Sequence, residues 1–197
     1  MAIKATLVKE LRDRTGAGMM ECKRALTETG ADIEAAIDLL RSKGEAKAAK
    51  RAAKAANQGV VASYIHHGGR IGVLVELNCE TDFVANTDDF QELARDLAMH
   101  VAASDPIAVE SGDVDPETVE RERRVFSEQV AREGKPEHIR DRIVDGKLAK
   151  FFRERVLMDQ PFVRDPDRSV GELVTEVSAR TGEKIRVGRF SRFQVGG

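Results

Sequence analysis

The spacing of apolar residues predicts three short helices in the first part of the chain. Apolar side chains recur there every three or four positions, which is the period of one face of an α-helix. Gly16, Gly30 and Gly44 follow the three stretches and suit helix ends, while Asp32 suits the N-cap of the third helix. We therefore predict a compact three-helix domain over residues 1–44.

A low-complexity stretch rich in Ala and Lys follows at residues 45–58. Its helix propensity is high, but it has almost no apolar stripe to bury, which is typical of a semi-rigid helical linker. The basic residues Lys47, Lys50, Arg51 and Lys54 offer an alternative, a contact with a negatively charged partner such as RNA.

Beyond the linker the apolar period changes from helical to alternating. Residues 60–65 and 71–77 predict a β-hairpin around a glycine turn. A helix is predicted over residues 89–103, with His100 at the edge of its buried stripe. Sparse apolar positions over residues 116–157 predict two helices that form a projecting hairpin.

The last part of the chain predicts a loop over residues 159–168, a helix over residues 170–180 and a strand that starts near residue 184. Residues 59–197 therefore read as an antiparallel β-sheet core packed with helices and carrying the helical hairpin. The fold class predicted for the whole chain is α+β.

Composition narrows the classes of function. The chain has 197 residues, and its net charge of −2 argues against a dedicated nucleic-acid-binding protein, which would show a clear basic excess. The sequence has neither a long apolar run nor an apolar N-terminal segment, so we expect no membrane span and a cytoplasmic location. Cys22 and Cys79 sit in apolar contexts and are expected to be buried free thiols.

The sequence motifs typical of nucleotide binding, metal binding and nucleophilic catalysis are absent or incomplete. Gly16, Ala17 and Gly18 begin like a dinucleotide fingerprint, but Glu21 takes the place of its last glycine and a helix precedes it instead of a strand. The histidines lie without other ligands at metal-binding spacing, and no nucleophile elbow occurs. We therefore expect no catalytic residue, no metal site and no cofactor.

One segment stands out because an aromatic ring and a carboxylate sit side by side where a buried strand ends. We call Thr81, Asp82, Phe83 and Val84 the corner segment. In one interpretation Phe83 is folded into the core and Asp82 caps the following helix. In the other, Phe83 projects into a partner.

The second predicted helix poses a similar choice. If Met19, Cys22 and Leu26 form its buried stripe, Met20 lies on the polar side with Lys23. A thioether in that position is either a plain surface residue or a contact for another protein.

Four motifs resolve these choices by resemblance. Residues 11–26 (LRDRTGAGMMECKRAL), 76–86 (ELNCETDFVAN), 98–104 (AMHVAAS) and 160–163 (QPFV) resemble the elongation factor Ts family, the guanine-nucleotide exchange factors of bacterial translation. The motifs cover nearly the whole chain in the family's order. Only one copy of the core repeat is present, so the resemblance is to the short, single-core-repeat form.

The resemblance implies a ubiquitin-associated-like N-terminal domain and, as partner, the GTPase elongation factor Tu. The family's corner segment wedges beside the nucleotide site of the GTPase and dislodges Mg²⁺, a role that maps onto Thr81, Asp82, Phe83 and Val84. Further contacts to the partner map onto Leu11, Arg12, Met19, Met20 and His100. Because short members look as if they complete their core by pairing, we expect a homodimer and a two-plus-two complex, with the sheet edge or the C-terminal strand at the interface.

The expected function is thus a translation elongation factor that promotes GDP release from elongation factor Tu without covalent chemistry. The alternative is a binding module, or a chaperone-like partner of a GTPase, that does not accelerate nucleotide release. Neither function requires direct contact with nucleic acid or with a membrane.

Overall fold

The α+β class predicted from the sequence is confirmed by a computed structural model of the chain. The structure describes residues 3–51 and 53–196, except for the side chains of residue 45 and residues 47–50. Within these ranges it has eight α-helices, a three-stranded antiparallel sheet and a two-stranded ribbon. No helix of the described ranges combines the length and the apolarity needed to cross a membrane.

The elements follow one another in mixed order along the chain. The helices are α1 (Ala5–Thr15), α2 (Met19–Glu28), α3 (Ile33–Arg51), α4 (Asp82–Ala85), α5 (Asp88–Ser104), α6 (Pro116–Arg132), α7 (Glu137–Arg155) and α8 (Val170–Thr181). The strands are β1 (Gln58–Ile65), β2 (Ile71–Cys79), β3 (Pro161–Phe162), β4 (Asp165–Ser169) and β5 (Arg186–Gln194). The larger sheet has the order β1-β2-β5, so β1 and β5 are its edges, and β3 pairs with β4.

The three predicted N-terminal helices are confirmed, and they pack on one another. Gly16 ends α1 with φ +65°, and its N–H donates to the carbonyl of Arg12. Asp32 caps α3 as predicted, because its Oδ1 accepts from the N–H of Ala35 at 3.0 Å. The buried residues of this cluster are Val8, Leu11, Cys22, Ala25, Leu26 and Ala36.

The prediction that the third helix stops before Gly44 is wrong, because α3 continues to Arg51. A glycine inside a helix costs only about 1 kcal/mol relative to alanine, and the Ala/Lys-rich residues that follow favour the helix. Gly44 is buried, and a Cβ built on it would lie 3.5 Å from the Cβ of Ala179 on α8. The side chains of Lys47 and Lys50, predicted as basic contacts, lie outside the described residues.

The described residues divide into two compact units, each assembled from separated stretches of chain. The first unit takes residues 1–60, 77–93 and 174–186, and the second takes residues 61–76, 94–173 and 187–197. The division into a three-helix domain, a linker and a core, at residues 44 and 58, stays a prediction.

The predicted β-hairpin and the predicted helical hairpin are both confirmed. The β-hairpin turns at Gly68 and Gly69, both with positive φ, and the N–H of His66 donates to the carbonyl of Ile71 at 2.9 Å. Helices α6 and α7 pack through a small core of Val130, Val144 and Leu148, flanked by Val119, Phe126 and Ile143. The short ribbon of β3 and β4 lies where a loop was predicted.

Candidate functional site

The corner segment forms a single helical turn directly after β2. Thr81 is the N-cap of α4, and its Oγ1 accepts from the N–H of Val84 at 3.4 Å. Thr87 gives α5 the same kind of bond, because its Oγ1 accepts from the N–H of Phe90 at 3.4 Å. The interpretation in which Asp82 caps the following helix is therefore wrong. Asp82 lies in the first turn of α4, where a carboxylate is favourable beside the free N–H groups.

The register of this turn leaves Asp82 and Phe83 on the surface and buries the two residues that follow them. The side chain of Phe83 is 82% exposed, whereas Val84 and Ala85 are buried. The interpretation of Phe83 as a core residue is wrong for this reason. A large aromatic side chain with this exposure is the kind of group that binds a partner.

The corner segment is held by Glu183, a residue that was not predicted from the sequence. Its Oε2 accepts from the backbone N–H groups of Glu80 and Thr81 at 3.1 and 3.0 Å. Its Oε1 accepts from the hydroxyl of Thr81 at 2.6 Å. Because the two partners are 102 residues apart in sequence, no local pattern could have paired them.

The side chain of Glu80 in turn accepts hydrogen bonds from the segment that follows Glu183 and from Lys54. Its Oε1 accepts from the backbone N–H of Lys184 at 2.7 Å, and its Oε2 accepts from Nζ of Lys54 at 2.7 Å. The Lys54 hydrogen bond, followed by the Lys184 N–H, lowers the pKa of the Glu80 carboxyl. The carboxylate is therefore ionised at neutral pH, and Lys54 is engaged within the protein.

The two cysteines are buried free thiols, as predicted. Cys79 lies beside the corner segment, and its Sγ donates to the carbonyl of Thr81 at 3.0 Å. Burial raises the pKa of the Cys79 thiol, and the charge of Glu183 raises it further. Burial also raises the pKa of Cys22. Both groups are thus protonated at neutral pH and act as packing residues.

The N-terminal residues predicted as partner contacts separate into an exposed and a buried set. Met19 is 56% and Met20 is 64% exposed, and Arg12 is exposed as well. Met19 therefore does not belong to the buried stripe of α2, which consists of Cys22, Ala25 and Leu26. Leu11 is fully buried in the cluster of α1, α2 and α3, which corrects its prediction as a contact residue.

His100 was predicted at the edge of a helix stripe and as a partner contact, and the structure places it at 0% exposure. Its Nδ1 accepts from the N–H of Val163 at 3.2 Å, so we assign the proton to Nε2, which donates to Oε1 of Gln160 at 2.9 Å. Burial lowers the pKa of the imidazole. A neutral ring in this position binds α5 to the segment of Gln160 and Val163 and offers no surface to a partner.

The three-stranded sheet presents exposed apolar side chains on one face. Val73, Val75 and Leu77 of β2 point inward and are buried. On the opposite face a shallow groove is lined by side chains that include Ile65, Leu74 and Phe193. We call this the apolar sheet face, and its exposed members are Val61, Ile65, Leu74, Phe193 and Val195. When one face of an antiparallel sheet is in contact with solvent, the side chains on that face are usually polar. Exposed apolar side chains on this face are therefore suited to contact with a partner.

The chain is similar over nearly its full length to proteins of one family. The family model described as "Elongation factor TS" matches residues 2–197. Elongation factor Ts of Syntrophomonas wolfei is 57% identical over 194 residues, which cover 98% of this chain and 91% of that protein. The proteins of the same name from Desulfosudis oleivorans (55% identical, 98% of each chain) and Thermosipho melanesiensis (54% identical, 98% of this chain and 99% of that protein) are similar to the same extent. The chain therefore belongs to the elongation factor TS family of translation elongation factors.

Proposed function

We propose that this chain is a guanine-nucleotide exchange factor that binds elongation factor Tu with GDP, dislodges its Mg²⁺ and promotes GDP release so that GTP can bind. The observation that carries the proposal is the exposure of Phe83 on a turn whose other apolar residues, Val84 and Ala85, are buried and whose cap residue is hydrogen-bonded to Glu183. Family membership supplies the partner. The process needs no covalent step by this chain.

The energy for the exchange comes from binding. Burying the Phe83 ring in an apolar crevice of the GTPase yields roughly 1.5–3 kcal/mol. This energy stabilises a state of the GTPase in which the ligands of Mg²⁺ no longer line up. Loss of the ion leaves phosphate charge uncompensated, so GDP dissociates faster. The coupling between the two ligands of the GTPase is reciprocal, so nucleotide rebinding lowers the affinity of the GTPase for this chain by the same factor. The chain then dissociates and can bind another GTPase.

The N-terminal helices supply the second contact. Arg12, Met19 and Met20 are exposed and belong to the same compact unit as Phe83. Methionine side chains adapt to an apolar partner surface, and arginine adds charge and hydrogen bonds. We assign these three residues to affinity and the corner segment to nucleotide release.

We further propose a homodimer that forms a two-plus-two complex with the GTPase in the cytoplasm. A second copy of the apolar sheet face fits against the first, because a two-fold axis brings the same patch of both copies together. Two such faces pack as a sandwich and bury Ile65, Leu74 and Phe193 of each copy. No contact with nucleic acid is needed, and Arg51 and Lys54 already donate hydrogen bonds within the chain.

A stopped-flow experiment tests the exchange function. Elongation factor Tu is loaded with a fluorescent GDP, and release is followed with and without this chain in excess unlabelled nucleotide. We expect faster release that saturates with the concentration of the chain. Binding without any change in the release rate would instead establish the alternative, a binding module or chaperone-like partner.

A further inference from the structure

We infer that Glu183 is a positioning residue, whose carboxylate sets the angle at which α4 presents Phe83 to the partner. The inference rests on the proposed function, because Phe83 is the side chain that has to be aimed. In this proposal Glu183 contacts neither the nucleotide nor the metal ion. It acts through Glu80 and Thr81, which lead into the corner segment.

Helix α4 needs support from outside. It has four residues, and an isolated turn of this length is unstable because few hydrogen bonds offset the ordering of its backbone. Its cap bond between Thr81 Oγ1 and the N–H of Val84 is 3.4 Å long, beyond the usual range. The direction of Phe83 therefore depends on contacts from other elements.

Glu183 supplies these contacts through both oxygens of its carboxylate. It accepts two backbone N–H groups and the hydroxyl of Thr81. Since the hydroxyl gives its one proton to Glu183, its lone pairs stay available for the N–H of Val84. Glu183 thus fixes the rotamer of the cap residue, with hydrogen bonds about twice as strong as neutral ones.

Glu183 is itself held firmly. The hydroxyl of Ser178 donates to the Glu183 carbonyl at 2.5 Å. Gly182 follows α8 with φ +78°, and its N–H donates to the Ser178 carbonyl at 3.0 Å. The next residue, Lys184, returns a backbone bond to the Glu80 carboxylate. The carboxylate that aims α4 is therefore presented by a rigid frame, as a preorganised site requires.

A purely structural role would lower the stability of the protein without a specific effect on nucleotide release. The chain offers a matched control for this distinction in Asp115. Its carboxylate also accepts two backbone N–H groups, from Glu117 and Thr118, and the hydroxyl of Thr118. These bonds cap α6 in the other compact unit. Asp115→Ala removes the same kinds of bond as Glu183→Ala.

The experiment measures GDP release from elongation factor Tu over a range of concentrations of wild type, Glu183→Ala, Glu183→Gln and Asp115→Ala. We expect Glu183→Ala to lower the maximal release rate by about tenfold or more, because misplaced groups lose rate steeply. The half-saturating concentration should change by less than about threefold, since Arg12, Met19 and Met20 still bind. Glu183→Gln keeps one acceptor oxygen and should be intermediate, and Asp115→Ala should match wild type.

A second readout does not need the GTPase. Amide hydrogen exchange at Val84 and Asn86, which donate to Thr81 Oγ1 and to the Asp82 carbonyl, should be about tenfold faster in Glu183→Ala and intermediate in Glu183→Gln. If Glu183→Ala does not fold, the nearly isosteric Glu183→Gln carries both measurements.

Unchanged protection in the Glu183 variants would overturn the inference, and so would a loss of release rate equal to that of Asp115→Ala. A change in the half-saturating concentration alone would also overturn it. If wild type does not accelerate GDP release, the proposed function fails by itself, while hydrogen exchange still decides whether Glu183 orders the corner segment.

Discussion

Phe83 and Phe90 lie on consecutive helices and both follow aspartates, yet one ring is 82% exposed and the other is fully buried. Phe90 belongs to α5, a helix of 17 residues whose apolar stripe continues through Leu93 and Leu97. Phe83 belongs to one turn, in which Val84 and Ala85 take the buried positions. The register of each helix, and not the flanking residues, decides which aromatic ring supports the fold and which is free for a partner.

The largest expected effect comes from the buried ring. Phe90→Ala should lower the free energy of unfolding by about 3–5 kcal/mol, because it removes transferred apolar surface and leaves a cavity. Chemical denaturation followed by circular dichroism measures this loss. A change below about 1 kcal/mol would show that Phe90 is not a core residue and would erase the contrast with Phe83.

The exposed ring should behave in the opposite way. Phe83→Ala should change the free energy of unfolding by less than about 0.5 kcal/mol. The maximal acceleration of GDP release should fall by about tenfold to a hundredfold, since roughly 1.5–3 kcal/mol of burial in the partner is lost. Phe83→Leu keeps much of the apolar area and serves as an intermediate control. Global unfolding of Phe83→Ala would instead support the interpretation of Phe83 as a core residue.

A third phenylalanine, Phe193, extends the comparison to the sheet, where its ring is exposed on the apolar sheet face. Phe193→Asp should weaken the proposed homodimer by about tenfold or more, because an aromatic anchor is lost and a charge is placed at the interface. Sedimentation velocity over a concentration series measures this. Val125→Asp on α6, at another exposed apolar position, is the matched control and should dimerise like wild type.

The smallest expected effect concerns a buried polar ring, His100, and the dependence of the free energy of unfolding on pH. Its folded pKa lies below the ordinary value of 6.5, so the unfolded chain binds the proton more tightly. The neutral ring therefore contributes its full stability above pH 6.5. This contribution is lost as the pH falls from 6.5 towards the folded pKa, by up to about 1.4 kcal/mol per pH unit.

Denaturation at pH 7.5 and at pH 5.5 tests this sign. His100→Gln should lose less stability on acidification than wild type, whereas His138→Gln, at an exposed position, should behave like wild type. An equal loss in His100→Gln and wild type would show that other groups cause the acid sensitivity.

Much of the fold could be predicted because local periodicity specifies it. The three N-terminal helices, the β-hairpin and the helical hairpin each carry their own pattern and end signals. The ribbon of β3 and β4 was missed because Asp165–Ser169 has no apolar alternation. The end of α3 was misplaced because one glycine does not outweigh the helix propensity of the residues beyond it.

The candidate site was predictable only in part, for a different reason. Leu11 is buried in the core of the three N-terminal helices, although the resemblance implied a partner contact, because a match to a family motif does not show whether a side chain is exposed. Glu183 had no signal at all, since its partners are distant in sequence and a single glutamate after a glycine is common. The exposure of Phe83 follows from the register of α4, which places Val84 and Ala85 in the buried positions, and the neighbouring residue types alone did not determine that register.

The pairing of Glu183 with Glu80 and Thr81 also has a consequence for the order of events during synthesis. The ribosome adds residues from the N-terminus at a limited rate, and α1, α2 and α3 can form from local contacts while the chain is growing. The corner segment is synthesised about 100 residues before Glu183. Its turn therefore lacks the hydrogen bonds to the Glu183 carboxylate throughout that interval. A nascent chain thus completes the helix that carries Met19 and Met20 well before Glu183 can hold its corner segment, so the two regions are completed at different times.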